Sequence, residues 1–98
     1  MKFSEKVLEL TKKIPKGRVT TYKILARKLK TKAYRAVGNA LNKNTQPIII
    51  PCHRVVKTTG EIGGYSKGIK NKIKLLEKEG IKIRDNKIEN FEKVLFSF

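Results

Sequence analysis

Thr20-Thr21-Tyr22-Lys23-Ile24-Leu25-Ala26-Arg27-Lys28-Leu29-Lys30-Thr31-Lys32-Ala33-Tyr34-Arg35-Ala36-Val37-Gly38-Asn39-Ala40-Leu41-Asn42 is the stretch whose pattern fixes the architecture. Thr20 or Thr21 caps a helix in which Tyr22, Leu25, Ala26 and Leu29 share one face, while Lys23, Arg27, Lys28 and Lys30 look outward. After Lys30 and Thr31 another helix runs to about Asn42, with Ala33, Val37, Ala40 and Leu41 available for packing. Two short helices joined by a tight turn, the second carrying Lys32, Tyr34, Arg35 and Asn39 on its other faces, read as a helix-turn-helix over about residues 20–43. Short helices also pair in many small domains for no functional reason, and Gly38 argues against that reading here. A glycine costs about 1 kcal/mol in a helix interior relative to alanine, so something approaches the backbone there, either DNA or a neighbouring helix.

Upstream, Phe3, Val7, Leu10 and Ile14 recur at helical spacing with Lys and Glu between them, which predicts an amphipathic helix ended by Pro15 and Gly17. Downstream, Asn42 to Gln46 is a polar turn and Pro47 opens an apolar strand, Ile48–Ile50. Pro51 has no N–H for a ladder, so the strand should end there and present Cys52 at a bend, where a thiol can be exposed. Val55 to Ile62 predicts a small hairpin or wing with Gly60 in its turn, and Gly63 to Gly68 is a loop by composition. Ile69, Ile73 and Leu76 mark a helix ended by Gly80, Ile81 to Ile88 a second hairpin turning at Asp85-Asn86, and Phe91, Val94 and Leu95 close the core. The expected fold is mainly α with short β hairpins: a single winged helix-turn-helix-like domain over residues 1–98, with no separate N-terminal domain.

The charge balance points to a partner. With 24 Lys+Arg against 8 Asp+Glu, a formal net charge of +16 on 98 residues gives a strongly positive surface potential, the footprint of a nucleic-acid binder. Lysine enrichment for heat stability usually comes with glutamate, which is scarce here. An anionic membrane surface is a distant second, because no helix combines a basic face with exposed large aromatics. No stretch approaches the ~20 apolar residues of a membrane span, and the N-terminus lacks a signal-peptide pattern. The expectation is a soluble intracellular monomer, cytoplasmic and nucleoid-associated in a prokaryote or nuclear in a eukaryote. One cysteine forms no internal disulfide, and one Cys with one His is too few ligands for a zinc site, so neither metal nor cofactor is expected.

That single cysteine, Cys52, stands beside the single histidine, His53, in Pro51-Cys52-His53-Arg54-Val55. A free thiol has a pKa near ~8.5 and is only a few per cent thiolate at neutral pH, so an attacking sulfur needs a base or positive surroundings. His53 and Arg54 supply either. Against this, free cysteines are among the most buried residues, and an adjacent histidine is commonly just a neighbour.

The string PCHRV, preceded by Arg35-Ala36-Val37-Gly38-Asn39-Ala40-Leu41 and an Asn-x-x-Pro lead-in and followed by a Gly-Tyr-Ser turn, resembles the active-site region of the O6-alkylguanine-DNA alkyltransferases (methylated-DNA-protein-cysteine methyltransferases). The likeness runs from about Phe3 to Gly80. It implies DNA repair: extrusion of O6-alkylguanine from duplex DNA and irreversible, single-turnover transfer of the alkyl group to a cysteine.

By the resemblance, Cys52 is the alkyl acceptor, His53 takes its proton through a water, Glu79 orients His53, and Asn44 organises the active-site turn. Tyr22 addresses a ring nitrogen of the flipped guanine with its hydroxyl. Tyr65 and Ser66 close over the base, the backbone N–H of Ser66 facing O6. The carbonyls of Cys52 and Val55 read the exocyclic amine, and Lys72 lies near the pocket. Arg35 takes the place of the extruded base, on a helix laid in the minor groove with Lys32, Tyr34, Gly38 and Asn39. Each role has a plainer competitor: Tyr22 as core, Glu79 as an ordinary residue near a helix end, Arg35 as a phosphate contact. Many family members carry a further N-terminal domain, and some have glycine where Lys67 stands, which bears on the size of substrate admitted. Alkyltransferase-like proteins, the non-enzymatic alternative, share the fold but replace the acceptor cysteine, commonly with tryptophan; here Cys52 is present.

Overall fold

The computed structural model describes residues 2–46, 49–65 and 67–98. Pro47 and Ile48, where the apolar strand was expected to open, and Ser66 of the pocket loop lie outside the described residues.

Helix α1, Phe3–Thr11, buries Val7 and Thr11, and Ile14 continues its apolar stripe beyond the helix end, before Pro15. Strand β1, Thr20–Thr21, leads directly into α2, Tyr22–Lys28. Of the two threonines offered as caps, Thr21 serves: its Oγ1 accepts the Ile24 N–H at 3.1 Å, satisfying one of the donors a helix start leaves open. Helix α3, Tyr34–Asn42, buries Val37, Ala40 and Leu41 against α1 and α2. The helix-turn-helix is present, but its second helix starts later than expected: Ala33, expected to pack, is exposed at the N-cap, and Lys32 precedes the helix.

The segment after α3 differs. Ile49 lies in a turn, 72% exposed, where the sequence predicts a strand, and the Ile50 N–H bonds back to the Gln46 carbonyl at 3.0 Å. A 3-10 turn, Cys52–Arg54, follows Pro51. Strand β2, Val55–Val56, then pairs in parallel with β1, Thr20 opposite Val55 and Thr21 opposite Val56. Residues 57–61 do turn back, with the Lys57 N–H on the Glu61 carbonyl at 3.0 Å and Gly60 at φ 88°. The second arm, however, pairs onward with the next hairpin instead of with β2.

That hairpin is β3, Ile83–Arg84, with β4, Lys87–Ile88, in antiparallel register. Asp85 and Asn86 hold positive φ in its turn, as residues that tolerate the left-handed region do. The Ile62 N–H reaches the Asn86 carbonyl and the Ile88 N–H the Gly60 carbonyl, both at 3.0 Å. The two expected hairpins therefore merge into one small antiparallel wing. Helix α4, Ile69–Lys78, and the single turn α5, Phe91–Val94, complete the chain. Phe91 and Val94 pack as expected on the wing's core.

Two apolar clusters result. One gathers Val7, Ile14, Leu25, Val37, Leu41, Cys52 and Val55 between α1, α2 and α3; the other gathers Val19, Val56, Ile62, Leu76, Ile81 and Ile88 between α4 and the wing. Consecutive residues of β2 point to opposite faces, so Val55 enters the first cluster and Val56 the second. The 3-10 turn that carries Cys52 is fixed at this seam.

Candidate active site and DNA-facing surface

Cys52 is 6% exposed, so the bend holds the thiol inside the fold instead of displaying it. Its own N–H bonds the Ile50 carbonyl at 2.8 Å, a tight turn that brings Asn44 over the sulfur. The Asn44 side-chain amide donates to the Ile50 carbonyl at 2.8 Å and to Cys52 Sγ at 3.3 Å, while its Oδ1 accepts the Gln46 N–H at 2.8 Å. One amide thus ties the polar turn after α3 to the Cys52 sulfur.

His53 is fully buried, its Nε2 3.0 Å from Glu79 Oε2 at the end of α4. Burial pushes the imidazole below its ordinary range, more than the Glu79 carboxylate pulls it up. For Glu79 burial acts upward, but the hydrogen bonds from Arg54 and His53 outweigh it and hold the carboxyl below its usual value. A neutral His53 facing an ionised Glu79 carries its proton on Nε2, which leaves the Nδ1 lone pair free. Nδ1 is buried and has no hydrogen-bond partner among the described residues.

Arg54 is spoken for elsewhere. Its guanidinium clasps Glu79 through Nε at 2.9 Å and Nη2 at 2.6 Å, and Nη1 donates to the Ile14 carbonyl at 2.8 Å. Of the two neighbours offered as partners for the thiol, only His53 remains available.

Tyr22 and Tyr65 flank the sulfur, lining with Leu41, Asn42, Cys52 and Gly64 a space of only about 10 Å³, at most enough for one water. Burial, and secondarily the Cys52 sulfur, raise both phenols above their usual range. Tyr22 packs against the first cluster as well as facing this space, so its core and pocket readings both hold geometrically. The loop bearing Tyr65 is bounded by Gly63 at φ 75° and Gly68 at φ 94°, conformations that glycine adopts without steric cost.

Lys72 is fully buried; its ammonium donates to the Val55 carbonyl at 2.7 Å and the Gly64 carbonyl at 3.0 Å. Burial lowers its pKa to about 8. It acts as a strut between β2 and the Tyr65 loop, and it occupies one lone pair of the carbonyl expected to read a guanine amine. The Cys52 carbonyl likewise already accepts the Val55 N–H. Lys67 in the same loop is exposed.

On the outer face of the helix-turn-helix, Lys32, Tyr34, Arg35 and Asn39 are exposed. A Cβ built on Gly38 would meet no atom within 4 Å. Among the described residues no neighbouring helix therefore explains that glycine. Gly38 lines a cleft of about 420 Å³ with Tyr22, Tyr34, Arg35, Asn42 and Gly64. Tyr22, Asn42 and Gly64 also line the space at Cys52, so the cleft leads toward the sulfur.

A family model described as 6-O-methylguanine DNA methyltransferase, DNA binding domain, matches residues 2–81. A methylated-DNA-protein-cysteine methyltransferase of Saccharolobus solfataricus is 54% identical over 81 residues, 83% of this chain and 52% of the relative. The chain spans about half the length of the curated relatives it matches. A crystal structure of Mycobacterium tuberculosis OGT in complex with DNA superposes with a TM-score of 0.77 and 39% identity, covering 81% of this chain and 50% of that one. S. pombe Atl1, in complex with damaged DNA containing O6-carboxymethylguanine, superposes with a TM-score of 0.85 and 28% identity, covering 98% and 95%.

Proposed function

Because the chain belongs to the 6-O-methylguanine DNA methyltransferase family, we propose that it repairs duplex DNA by drawing out an O6-alkylguanine and moving the alkyl group irreversibly onto Cys52. The observation that carries this reading is the sulfur under Asn44 beside a neutral, fully buried His53 whose Nδ1 has no partner among the described residues. The thiol proton passes to Nδ1 through a bridging water, and Glu79, held by Arg54, keeps the proton of His53 on the far nitrogen. The sulfur bonds to the alkyl carbon as the carbon–O6 bond breaks. The electron pair goes to the purine, whose developing charge is met by the Tyr22 hydroxyl. The net exchange replaces the thiol hydrogen with the alkyl group and returns that hydrogen to guanine. A base of guanine's size does not fit the present space of about 10 Å³, so Tyr65 swings outward as the base enters.

On the DNA, Arg35 fills the gap left in the stack, and Lys32, Tyr34, Gly38 and Asn39 line the approach. The product thioether has no proton to lose, so each molecule acts once, as a monomer and wherever the cell keeps its DNA. A second reading, lesion recognition without transfer, is favoured by the nearly complete cover of S. pombe Atl1; Cys52 weighs against it. Intact-mass measurement after mixing with duplex containing O6-methylguanine separates the two. Transfer predicts the increment of one methyl group, abolished in Cys52→Ser; an unchanged mass with retained lesion binding would establish recognition alone.

A further inference from the structure

The clefts around Tyr34 form a chain of decreasing charge. Lys23, Arg27, Lys30 and Lys32, with Thr31 and Tyr34, line a groove of about 400 Å³ between α2 and the turn that follows it. The next cleft shares Lys23 and Tyr34 and adds only one further cation, Lys57. The third holds Arg35 alone, and the space at Cys52 holds none. No Asp or Glu occurs in the sequence between Glu9 and Glu61, and no groove cation is ion-paired among the described residues, whose salt bridges involve only Lys12, His53 and Arg54.

Lys30 adds an independent argument. The Lys30 N–H bonds the Arg27 carbonyl and the Thr31 N–H the Ala26 carbonyl, both at 3.0 Å, the helix-ending motif whose left-handed position favours glycine. Helix α4 ends on the same pattern with glycine in that position, Gly80 at φ 88°. Helix α2 has Lys30 there, at φ 57°, and every other non-glycine residue with positive φ among the described residues is Asp or Asn. A left-handed lysine costs roughly 1–2 kcal/mol that glycine avoids. The cost places a cation at the groove edge.

We infer that the groove of Lys23, Arg27, Lys30 and Lys32 is a phosphate-backbone site that anchors duplex DNA away from the thiol, whose adjoining space is lined by no charged side chain. The inference rests on the DNA-repair reading and deepens it: like-signed exposed side chains around one concave surface focus potential on a polyanion, while the space at Cys52, with no charged side chain in its lining, does not compete for the backbone.

The test is a salt series of duplex affinity, read by fluorescence anisotropy, for the wild type, for Arg27→Gln/Lys30→Gln, and for Lys70→Gln/Lys74→Gln on exposed positions of α4. Thermal unfolding checks that each variant folds, and Arg27→Gln alone serves if the double variant does not. Each lost phosphate contact flattens the slope of log affinity against log salt by about 0.9, so the groove pair should flatten it by about 1.8 and the α4 pair should leave it unchanged. Equal slopes for wild type and groove pair, or equal flattening by both pairs, would overturn the groove site alone. A wild type whose affinity ignores salt would instead sink the DNA-binding reading on which it rests.

Discussion

Glu79 is one residue with two duties, orienting His53 and neutralising Arg54. Glu79→Gln leaves a partly buried guanidinium without its counter-charge and should cost about 2–3 kcal/mol, seen as a lower urea midpoint with an unchanged slope; an unchanged midpoint would mean the cluster is held by packing. His53 makes its own contribution to pH dependence. Its folded pKa lies below the 6.5 of the free group, so the unfolded chain binds a proton that the folded chain refuses. The corresponding stability is present above pH 6.5 and drains away as pH falls below it. Urea midpoints between pH 7 and 5 should therefore decline, and less so in His53→Asn; parallel curves would contradict a neutral buried imidazole. The placement of Cys52 and His53 in one turn is legible in the sequence because the two are neighbours. Glu79 lies 26 residues away and is reached only through resemblance, since its contact depends on α4 docking against the 3-10 turn. The same docking claims Arg54, which adjacency alone presents as a partner for the thiol.

Helix α3 offers a separable test of fold and surface. Gly38 is helical, and an added methyl would meet nothing within the chain. Gly38→Ala should raise stability by about 1 kcal/mol through helix propensity, yet weaken duplex binding by thickening the face offered to DNA. Denaturant melts and anisotropy titrations give the two signs, and a variant that binds DNA as tightly as wild type would remove the reason for the glycine. The helices were readable because apolar residues recur at 3.6-residue spacing and threonine, glycine and proline punctuate them. The Asp85-Asn86 turn was readable because both residues tolerate positive φ. The β1–β2 pair was not, since two residues against two across 35 positions of sequence have no periodicity. Ile49 and Ile50 resemble a buried strand by residue type, and no local signal distinguishes them from an apolar turn capped by Asn44.

Across the whole molecule, +16 net charge at this size opposes compaction as it attracts DNA. Salt should therefore act with opposite signs: the thermal midpoint rises from low to moderate ionic strength as self-repulsion is screened, while duplex affinity falls. A midpoint indifferent to salt would show the cations too dispersed to repel. The acid-free run from Glu9 to Glu61 announces a basic body, but which cations gather into a groove depends on α2 ending at Lys30. Cys52, meanwhile, lies 6% exposed beneath the Tyr65 loop, with room beside it for scarcely a water. Under the proposed single-use transfer the sulfur has a shelf life, and each encounter with peroxide or a stray electrophile shortens it. On that proposal, keeping the sulfur covered until a base pushes in would make the protein's working stock depend on lesions met and not on time elapsed.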